Sequence, residues 1–297
     1  MTVEAVADRY PTRTGPPVRA FPRRDPVVHS SESGPLDPDE LRRFGRDGYL
    51  VREQLLDETT VDRLRDEAER MAADPELAAS DRVVGEPGGE AVRSVFEVHR
   101  LSSLMAQVVA DERLAGAARQ VLGSAVYVHQ SRVNRKPGFV GQGFAWHSDF
   151  ETWHAEDGMP APRAVSIAVA LTPNYVHNGS LLIIPGSNRT FVPTVGTTPE
   201  GHYRSSLRNQ EIGVPDDASL AALVEAGGGV AVVTGEPGSA VLFDCNAMHG
   251  SSNNITPYPR TNLFIVYNSV ANTLAAPFAA PAPRPEFIAS RTATPVV

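Results

Sequence analysis

The spacing of apolar residues divides the chain into a helical N-terminal part and a β-rich remainder. In residues 57–74, Val61, Leu64, Ala68 and Met71 recur at the three- and four-residue intervals of an amphipathic helix. Residues 102–122 show a similar helical pattern and predict two further helices. The helical part is therefore expected to span residues 37–123.

Ordered structure is predicted to begin at Asp37. This residue can cap a helix, Pro38 suits the first helical turn, and Leu41 and Phe44 mark an apolar face. Residues 48–56 then predict a short strand. Residues 1–36 are rich in Pro, Arg, Ser and Gly without periodicity, so we expect a flexible or surface-draped arm there.

From Val126 onward, short β-branched runs alternate with Gly, Pro and Asn, which is typical of an antiparallel sandwich or barrel. These runs are VYVHQSRVN, RAVSIAVALT, GSLLIIPGS, GVAVVTG, GSAVLFDC and TNLFIVYNSV. One helical insert is predicted at residues 216–228, and the Pro/Ala-rich residues 275–287 are expected to be irregular. The pattern predicts a single domain at residues 37–297, with a double-sheet β-core at residues 124–270.

Composition narrows the classes of partner. The 297 residues carry a formal net charge of −8 and a sequence pI of about 5.5, which disfavours nucleic acid or an anionic membrane surface as the main partner. Cys245 is the single cysteine, so no intrachain disulfide is expected. The sequence shows neither an apolar run of about 20 residues nor the apolar core of a signal peptide, so we predict a cytoplasmic protein.

The run FAWHSDFETWH at residues 144–154 contains both tryptophans and two of the 8 histidines of the chain. His147 and Asp149 are two residues apart, and on an extended segment such side chains point to the same side. A third ligand is available from His249, which directly follows a predicted strand. Two histidines and one carboxylate on one face of an octahedron suit Fe(II) with open coordination positions. We therefore predict an iron site.

Several of these residues also have simpler interpretations. An isolated H-x-D occurs by chance in many proteins, and Arg260, which can pair bidentately with a carboxylate, could equally be a solvated arginine at a strand end. A zinc hydrolase with the same triad and a non-catalytic ligand-binding jelly roll remain alternatives. Exposed loop positions are expected for His154, a loop hydrogen bond for Asp244, and structural or surface positions for His99, His129, His177 and His202.

The run FAWHSDFETWHAEDGMPAPRAVS, with HQSRVN before it and HNGSLLIIPGS after it, closely resembles the ectoine hydroxylases. These form a family within the phytanoyl-CoA dioxygenase-like group of Fe(II)/2-oxoglutarate dioxygenases. The resemblance extends from about Leu36 to Phe287. It implies a mostly β fold with flanking helices, built on a double-stranded β-helix (jelly-roll, cupin-like) core. It also implies a homodimer that hydroxylates the compatible solute ectoine.

The resemblance further implies individual roles. His147, Asp149 and His249 would bind the iron, with 2-oxoglutarate and O2 as cosubstrates. Contacts to 2-oxoglutarate are expected from Lys136, Ser251 and Arg260. The ectoine side of the pocket is expected to include Gln130, Thr152, Trp153, Ser166, Phe243 and Phe264. Ectoine is a cyclic amidinium that bears a carboxylate, and an indole face attracts such a cation. A dioxygenase of the same mechanism that acts on a proline-like acid is the nearest alternative.

Overall fold

The computed structural model describes residues 6–30, 33–89 and 91–297 of the chain. Two antiparallel sheets face each other, and most helices lie on the outer side of the larger sheet. The helices are α1 (Pro38–Asp47), α2 (Glu58–Ala73), α3 (Pro75–Ala78), α4 (Val98–Leu101), α5 (Ser103–Val109), α6 (Ala117–Leu122), α7 (Asp149–Thr152), α8 (Tyr203–Ser206) and α9 (Asp217–Ala226). π-Helical turns follow at Glu112–Gly116 and Trp153–Asp157, and a 3₁₀ turn at Ser187–Arg189.

The strands form one seven-stranded sheet, one four-stranded sheet and one small ribbon. They are β1 (Phe21–Pro22), β2 (Tyr49–Arg52), β3 (Val83–Gly85), β4 (Val92–Phe96), β5 (Val126–Lys136), β6 (Phe144–His147), β7 (Ala164–Ala170), β8 (Leu181–Ile183), β9 (Thr190–Phe191), β10 (Ala231–Val233), β11 (Ala240–Asp244), β12 (His249–Ser251) and β13 (Arg260–Ser269). The orders are β2-β11-β7-β13-β5-β4-β3, β10-β8-β12-β6 and β1-β9. This is the jelly-roll core expected from the resemblance.

Side chains of the central strands alternate between the two faces of the large sheet. This alternation places the main core on one face and the candidate site on the other. Val133, Leu263 and Val169 are register partners on one face of the large sheet and pack under the helices. Arg132, Phe264 and Ala168 are register partners in the adjacent row and belong to the opposite face. That opposite face is turned toward the small sheet, and the cleft between the sheets holds the candidate site.

The helical predictions for the N-terminal part are confirmed in α1 and α2. Asp37 caps α1, accepting a hydrogen bond from the backbone N–H of Glu40, whose side chain in turn accepts from the Asp37 N–H. The apolar stripe Val61, Leu64, Ala68 and Met71 of α2 is fully buried. The boundary predicted at residue 123 between a helical part and the β-core is wrong. Strands β2, β3 and β4 lie before it and form both edges of the seven-stranded sheet.

The described residues of the N-terminal arm are packed against the β-core. Tyr10 is completely buried and lies edge-on against Phe150 and Phe191, with ring centroids 5.0 and 5.1 Å apart. Arg23 forms a buried ion pair with Asp244 at 2.7 Å. The prediction of a flexible arm is therefore wrong for these residues, whereas the surface-draped alternative fits them, since most of residues 6–30 stay exposed or half-buried over the core. Residues 1–5 and 31–32 lie outside the described part.

Within the described part of the chain, no helix combines the length and apolar character needed to cross a bilayer.

Candidate metal centre and active-site cleft

Neighbouring strands of the small sheet bring the two predicted histidine ligands together. His147 ends β6, His249 begins β12, and the two residues are direct partners in the antiparallel register. Their ring centroids lie 4.2 Å apart. The pairing of β6 with β12 therefore brings together two histidines that are far apart in the sequence.

Asp149 reaches the same point from a helix. The expectation that His147 and Asp149 share one extended segment is wrong: β6 ends at His147, Ser148 caps α7, and Asp149 is the first helical residue. Asp149 Oδ1 lies 3.7 Å from His147 Nε2, and Oδ2 lies 3.9 Å from His249 Nε2. Ser166 Oγ donates a hydrogen bond to Asp149 Oδ2 at 3.2 Å.

The other ring nitrogen of each histidine contacts the backbone carbonyl group of the residue two positions earlier in the chain. His147 Nδ1 lies 2.8 Å from the carbonyl oxygen of Ala145, and His249 Nδ1 lies 3.0 Å from that of Ala247. A carbonyl oxygen only accepts, so each Nδ1 is assigned the proton and each Nε2 keeps a free lone pair. In metal-bound histidines, the nitrogen that does not bind the metal usually donates to a carbonyl or carboxylate group in this way.

Electrostatics favour the ligand forms of these side chains. Burial raises the pKa of Asp149, but His249, His147 and Arg132 outweigh it, and the pKa lies below its usual range. Burial and the neighbouring His147 lower the pKa of His249 to about 4. A carboxylate and a neutral imidazole are the forms that bind a cation.

One donor atom from each of His147, Asp149 and His249 fits within 4.8 Å of the others. Two imidazole nitrogens and a carboxylate oxygen on one side of a point form a 2-His-1-carboxylate face, the donor set of non-haem Fe(II) sites. The residues present therefore fit a single ferrous ion, which they would hold beside the cleft that His147 and His249 line.

Strand β5 supplies a row of polar side chains to the cleft. Gln130, Arg132, Asn134 and Lys136 alternate along the strand and so point to one face. The last three line the cleft together with Arg260 and Ser251. The cleft is consequently rich in cationic groups at one end.

The three residues predicted to contact 2-oxoglutarate converge at that end. Lys136 and Arg260 are register partners on β5 and β13. Lys136 Nζ donates to Ser251 Oγ at 2.9 Å and to the carbonyl oxygen of Ser252 at 2.6 Å. All three predicted residues line the same cleft beside His147 and His249.

Arg260 and Lys136 have spare capacity for an anion. Arg260 donates through Nη2 to Asn134 at 3.1 Å, while its buried Nε and Nη1 have no hydrogen-bond partner among the described residues. Burial, with Arg93 and Arg132, lowers the pKa of Arg260 to about 10. Burial, with Arg260 and Arg93, lowers the pKa of Lys136 to about 6. A bound carboxylate would compensate both groups.

Three of the predicted ectoine contacts form a row across the large sheet. Phe243 pairs with Ser166, and Ser166 and Gln130 both pair with Val266. The Phe243 ring lies edge-on to His249, with centroids 5.0 Å apart. This row places the predicted ectoine end beside the metal ligands, whereas Lys136 and Arg260 lie further along the same strands.

Trp153 and Thr152 come from the turn that follows Asp149. Trp153 is buried, and its ring lies edge-on to His129 with centroids 4.9 Å apart. Thr152 Oγ1 accepts a hydrogen bond from Gln210 Nε2 at 3.3 Å. The chain order therefore places a metal ligand and two predicted substrate contacts on one short helical segment.

Comparison with known proteins identifies the family of this chain. The family model of phytanoyl-CoA dioxygenase (PhyH) matches residues 44–262. An ectoine dioxygenase from Nocardia farcinica is 57% identical over 97% of this chain and 95% of its own length. One from Streptomyces coelicolor is 52% identical over 99% of both chains.

The chain belongs to the ectoine dioxygenases of the phytanoyl-CoA dioxygenase family. Solved members of this group share its fold. The crystal structure of EctD from S. alaskensis with bound Fe covers 98% of this chain with a TM-score of 0.86 and 45% identity. The same protein has been solved with 2-oxoglutarate and 5-hydroxyectoine, again with a TM-score of 0.86.

Several cleft residues of this ectoine dioxygenase were not predicted from the sequence, among them Arg132, Asn134, Phe96 and Arg93. The Arg132 guanidinium lies over the rings of Phe264 and Phe96, at 5.0 and 5.9 Å from their centroids. Its buried Nε has no hydrogen-bond partner among the described residues. Arg132 and Asn134 could have been predicted from the alternation of side chains along β5, because both lie on the same face as Gln130 and Lys136.

The expectation of an exposed loop position is wrong for His154, whereas the loop hydrogen bond expected for Asp244 is confirmed. His154 is completely buried, with Nδ1 2.8 Å from the Met159 carbonyl oxygen and Nε2 3.1 Å from Asp8. Asp244 accepts from the backbone N–H of Asn246, as expected of a loop residue, but it also forms the buried ion pair with Arg23.

Arg284, from the irregular C-terminal stretch, is buried and donates through Nε to Asp157 at 2.8 Å. Burial and the Arg284 guanidinium act in opposite directions on Asp157, and its pKa is lowered to about 2. The same carboxylate lies 3.4 Å from His129 Nε2. The C-terminal stretch therefore packs against the turn that carries Trp153.

Proposed function

We infer that this chain is an Fe(II)- and 2-oxoglutarate-dependent dioxygenase that hydroxylates ectoine to 5-hydroxyectoine, with succinate and CO2 as coproducts. The observation that carries this proposal is the convergence of His147, Asp149 and His249 within 4.8 Å, in a chain 57% identical to an ectoine dioxygenase. When bound, the iron supplies the coupled oxidative decarboxylation of 2-oxoglutarate and insertion of one oxygen atom from O2 into a C–H bond of ectoine.

The metal ligands act through their protonation and orientation. His147 and His249 present Nε2 because their Nδ1 protons are held by backbone carbonyl groups. Asp149 is oriented by Ser166, which donates to one carboxylate oxygen and leaves the other accessible. Ser166, assigned to the ectoine side, thereby also supports the metal end of the site.

At the other end of the cleft, Arg260 and Lys136 bind the distal carboxylate of 2-oxoglutarate. Nε and Nη1 of Arg260 have no hydrogen-bond partner among the described residues, so the guanidinium keeps donors for a charge-assisted interaction with a carboxylate. Ser251 holds Lys136 at this end and adds a hydroxyl group to the same surface.

Ectoine is oriented by the turn after Asp149 and by the row on the large sheet. The Trp153 indole attracts the delocalised amidinium, a contact of about 0.5–2 kcal/mol when partly desolvated. Thr152 and Gln130 offer polar groups for the ring substituents. Phe243 and Phe264 exclude water from the space beside His249, which keeps the reacting C–H bond near the iron.

The proposal is tested by incubating the protein with Fe(II), 2-oxoglutarate, O2 and ectoine, with succinate and hydroxylated product quantified by mass spectrometry. We expect equal amounts of both, and no product when Zn(II) replaces Fe(II). Free proline in place of ectoine tests the alternative substrate, and efficient hydroxylation of proline with no turnover of ectoine would overturn the assignment. Ligand binding without succinate would indicate a non-catalytic jelly roll, and Zn(II)-dependent hydrolysis would indicate a hydrolase.

We also propose that the enzyme is a cytoplasmic homodimer. The single cysteine, Cys245, is buried and free, which is compatible with a reducing compartment. An apolar surface supports self-association: Phe139, Val140, Val176, Ile255 and Tyr258 are exposed, and the loops that carry them adjoin. Light scattering coupled to size-exclusion chromatography tests the dimer, and a monomer mass at micromolar concentration would contradict it.

A further inference from the structure

Arg13 forms a buried set of ion pairs that the function described above does not use. The residue is 7% exposed. Its Nε and Nη2 each lie 3.1 Å from one carboxylate oxygen of Glu151. Its Nη1 lies 2.6 Å from Glu156 Oε1 and 2.8 Å from Thr198 Oγ1. The guanidinium of Arg13 therefore joins the N-terminal segment to two acids of α7 and the π-helical turn that follows it.

The two acids lie on either side of Trp153 in the sequence. Glu151 belongs to α7 and Glu156 to the π-helical turn Trp153–Asp157 that continues it. Five residues separate the acids, which is the hydrogen-bond interval of a π-helix and brings both to one side of the turn. Arg13 bridges them there, so it holds the segment between Asp149 and Asp157 from its outer side.

Further contacts of the N-terminal segment support the same turn. Glu151 Oε1 also accepts from Thr12 Oγ1 and from Thr194 Oγ1, both at 2.8 Å. Arg13 has a backbone φ of 52°, a left-handed conformation that a non-glycine residue adopts only when its surroundings impose it.

The segment that covers the turn shares these contacts. Glu156 Oε1 lies 2.8 Å from His202 Nδ1, and Thr152, which is bound by Gln210, follows Glu151 directly. A Cβ at Gly213 would lie 2.6 Å from Glu151 Oε2, so this position admits no side chain beside the ion pair. The segment 194–213 therefore packs around the buried ion pairs that Arg13 forms with Glu151 and Glu156.

We propose that Arg13 is a positioning residue that fixes Thr152 and Trp153 for ectoine binding. This inference rests on the proposed function and deepens it. The 2-oxoglutarate end, formed by Lys136 and Arg260 on β5 and β13, has no contact with Arg13 among its hydrogen bonds and ion pairs in the described residues. Loss of Arg13 therefore disturbs ectoine binding selectively.

The test compares Arg13→Lys and Arg13→Met with the wild-type enzyme. Lysine keeps the charge but lacks the planar fork that spans both acids. We expect the KM for ectoine, and its Kd measured by anaerobic calorimetry with Fe(II) and 2-oxoglutarate present, to rise about tenfold or more, since small misplacements of binding groups have effects of that order. The KM for 2-oxoglutarate should change by less than about twofold.

Arg9→Met is the matched control. Arg9 lies on the same segment and pairs with Asp25 at 2.8 Å, but its side chain is 45% exposed and its hydrogen bonds within the described residues go to Asp25 and Arg24 rather than to the turn. We expect wild-type constants for this variant. If Arg13→Met leaves two buried carboxylates unpaired and does not fold, Arg13→Lys together with the triple variant Arg13→Met/Glu151→Gln/Glu156→Gln decides the question.

Unchanged ectoine constants in a folded Arg13 variant would overturn the inference, as would equal increases in the KM values for ectoine and 2-oxoglutarate. A loss of thermal stability without the selective KM change would assign Arg13 a purely structural role. Failure of the wild-type enzyme to turn over ectoine would instead refute the proposed function, so the two failures are distinguishable.

Discussion

His147 and His249 lie opposite each other on neighbouring antiparallel strands, with their ring centroids 4.2 Å apart. Both Nδ1 atoms are bound by backbone carbonyl groups two residues earlier in the chain, so both Nε2 atoms are free for a cation. Asp149 completes the site from the first turn of a helix. This pairing connects the fold to the site, because the register of two strands sets the separation of the two imidazole rings.

Removal of the carboxylate from this set should weaken iron binding. We predict that Asp149→Ala loses hydroxylation completely and weakens the affinity for Fe(II) by an order of magnitude or more, since loss of a group that merely orients a metal ligand already costs about 10- to 100-fold. Anaerobic Fe(II) titration measures the affinity. Asp216→Asn, at the exposed N-cap of α9, is the control and should bind iron normally. Unchanged Fe(II) affinity and turnover in Asp149→Ala would remove Asp149 from the ligand set.

Arg260 should affect 2-oxoglutarate more than ectoine. Arg260→Ala removes a buried guanidinium whose Nε and Nη1 have no partner among the described residues. We predict a KM for 2-oxoglutarate raised about tenfold to a thousandfold, the range for a lost charge-assisted pair, with a much smaller change for ectoine. Steady-state kinetics with each substrate varied in turn checks this. Arg42→Ala, at an exposed position on α1, is the control and should leave both KM values unchanged. Equal increases in the KM values for 2-oxoglutarate and ectoine in Arg260→Ala would contradict the assignment.

Lys136 should make 2-oxoglutarate binding dependent on pH. Burial, with Arg260 and Arg93, lowers its pKa to about 6, so the side chain is mostly neutral at pH 8. A bound carboxylate favours the charged form and raises this pKa, so binding takes up a proton above pH 6. The affinity should fall with rising pH, by up to about tenfold per unit. Calorimetry in buffers of different ionisation enthalpy measures the proton uptake.

The same group predicts how stability changes with pH in the absence of 2-oxoglutarate. The folded pKa of about 6 lies below the unfolded value of about 10.4. The unfolded chain therefore binds more protons between these values, and the contribution of Lys136 to the free energy of unfolding rises with pH across that window. Lys136→Met should remove both the proton uptake and this slope. Persistence of the proton uptake in Lys136→Met would assign it to another group.

The two tryptophans of the chain allow a matched comparison. Trp153→Phe should raise the Kd for ectoine by about 2- to 30-fold, the equivalent of about 0.5–2 kcal/mol of cation–π interaction and indole hydrogen bonding. Trp146 is partly buried in a separate apolar cluster with Ile184 and Leu220, so Trp146→Phe should leave the Kd unchanged. Direct binding measurements check both variants. A larger effect at Trp146 would exchange their roles.

The sequence predicted elements whose local pattern agrees with their tertiary environment. Helix α2 was predictable because its apolar period matches the buried face, and β5, β7, β11 and β13 because their β-branched runs are buried on both sides. Strands β3 and β4 were missed because they are short and flank a Gly-rich turn, and their conformation depends on pairing with β5.

The metal ligands could be predicted, but their local geometry was only partly readable. A capping-box pattern is formed by Ser148 and, three residues later, Glu151. This pattern predicts the helix that begins at Asp149. Ser148 does accept from the Glu151 N–H. The Glu151 side chain, however, binds Arg13 instead of closing the box.

The burial of the N-terminal segment was not predictable from composition. A Pro- and Arg-rich stretch is typical of disorder, and only the fold shows that Arg13 and Arg23 have buried acidic partners more than a hundred residues away. Long-range ion pairs carry no local periodicity, so no window of the sequence reveals them.

The proposed reaction inserts one oxygen atom from O2 into ectoine and couples this step to the decarboxylation of 2-oxoglutarate. Incubation under ¹⁸O2 with Fe(II), 2-oxoglutarate and ectoine, followed by mass analysis, follows both oxygen atoms at once. We expect one labelled oxygen in 5-hydroxyectoine and one in succinate, in equal amounts. Product oxygen derived from water, or succinate formed without any hydroxylated ectoine, would contradict it.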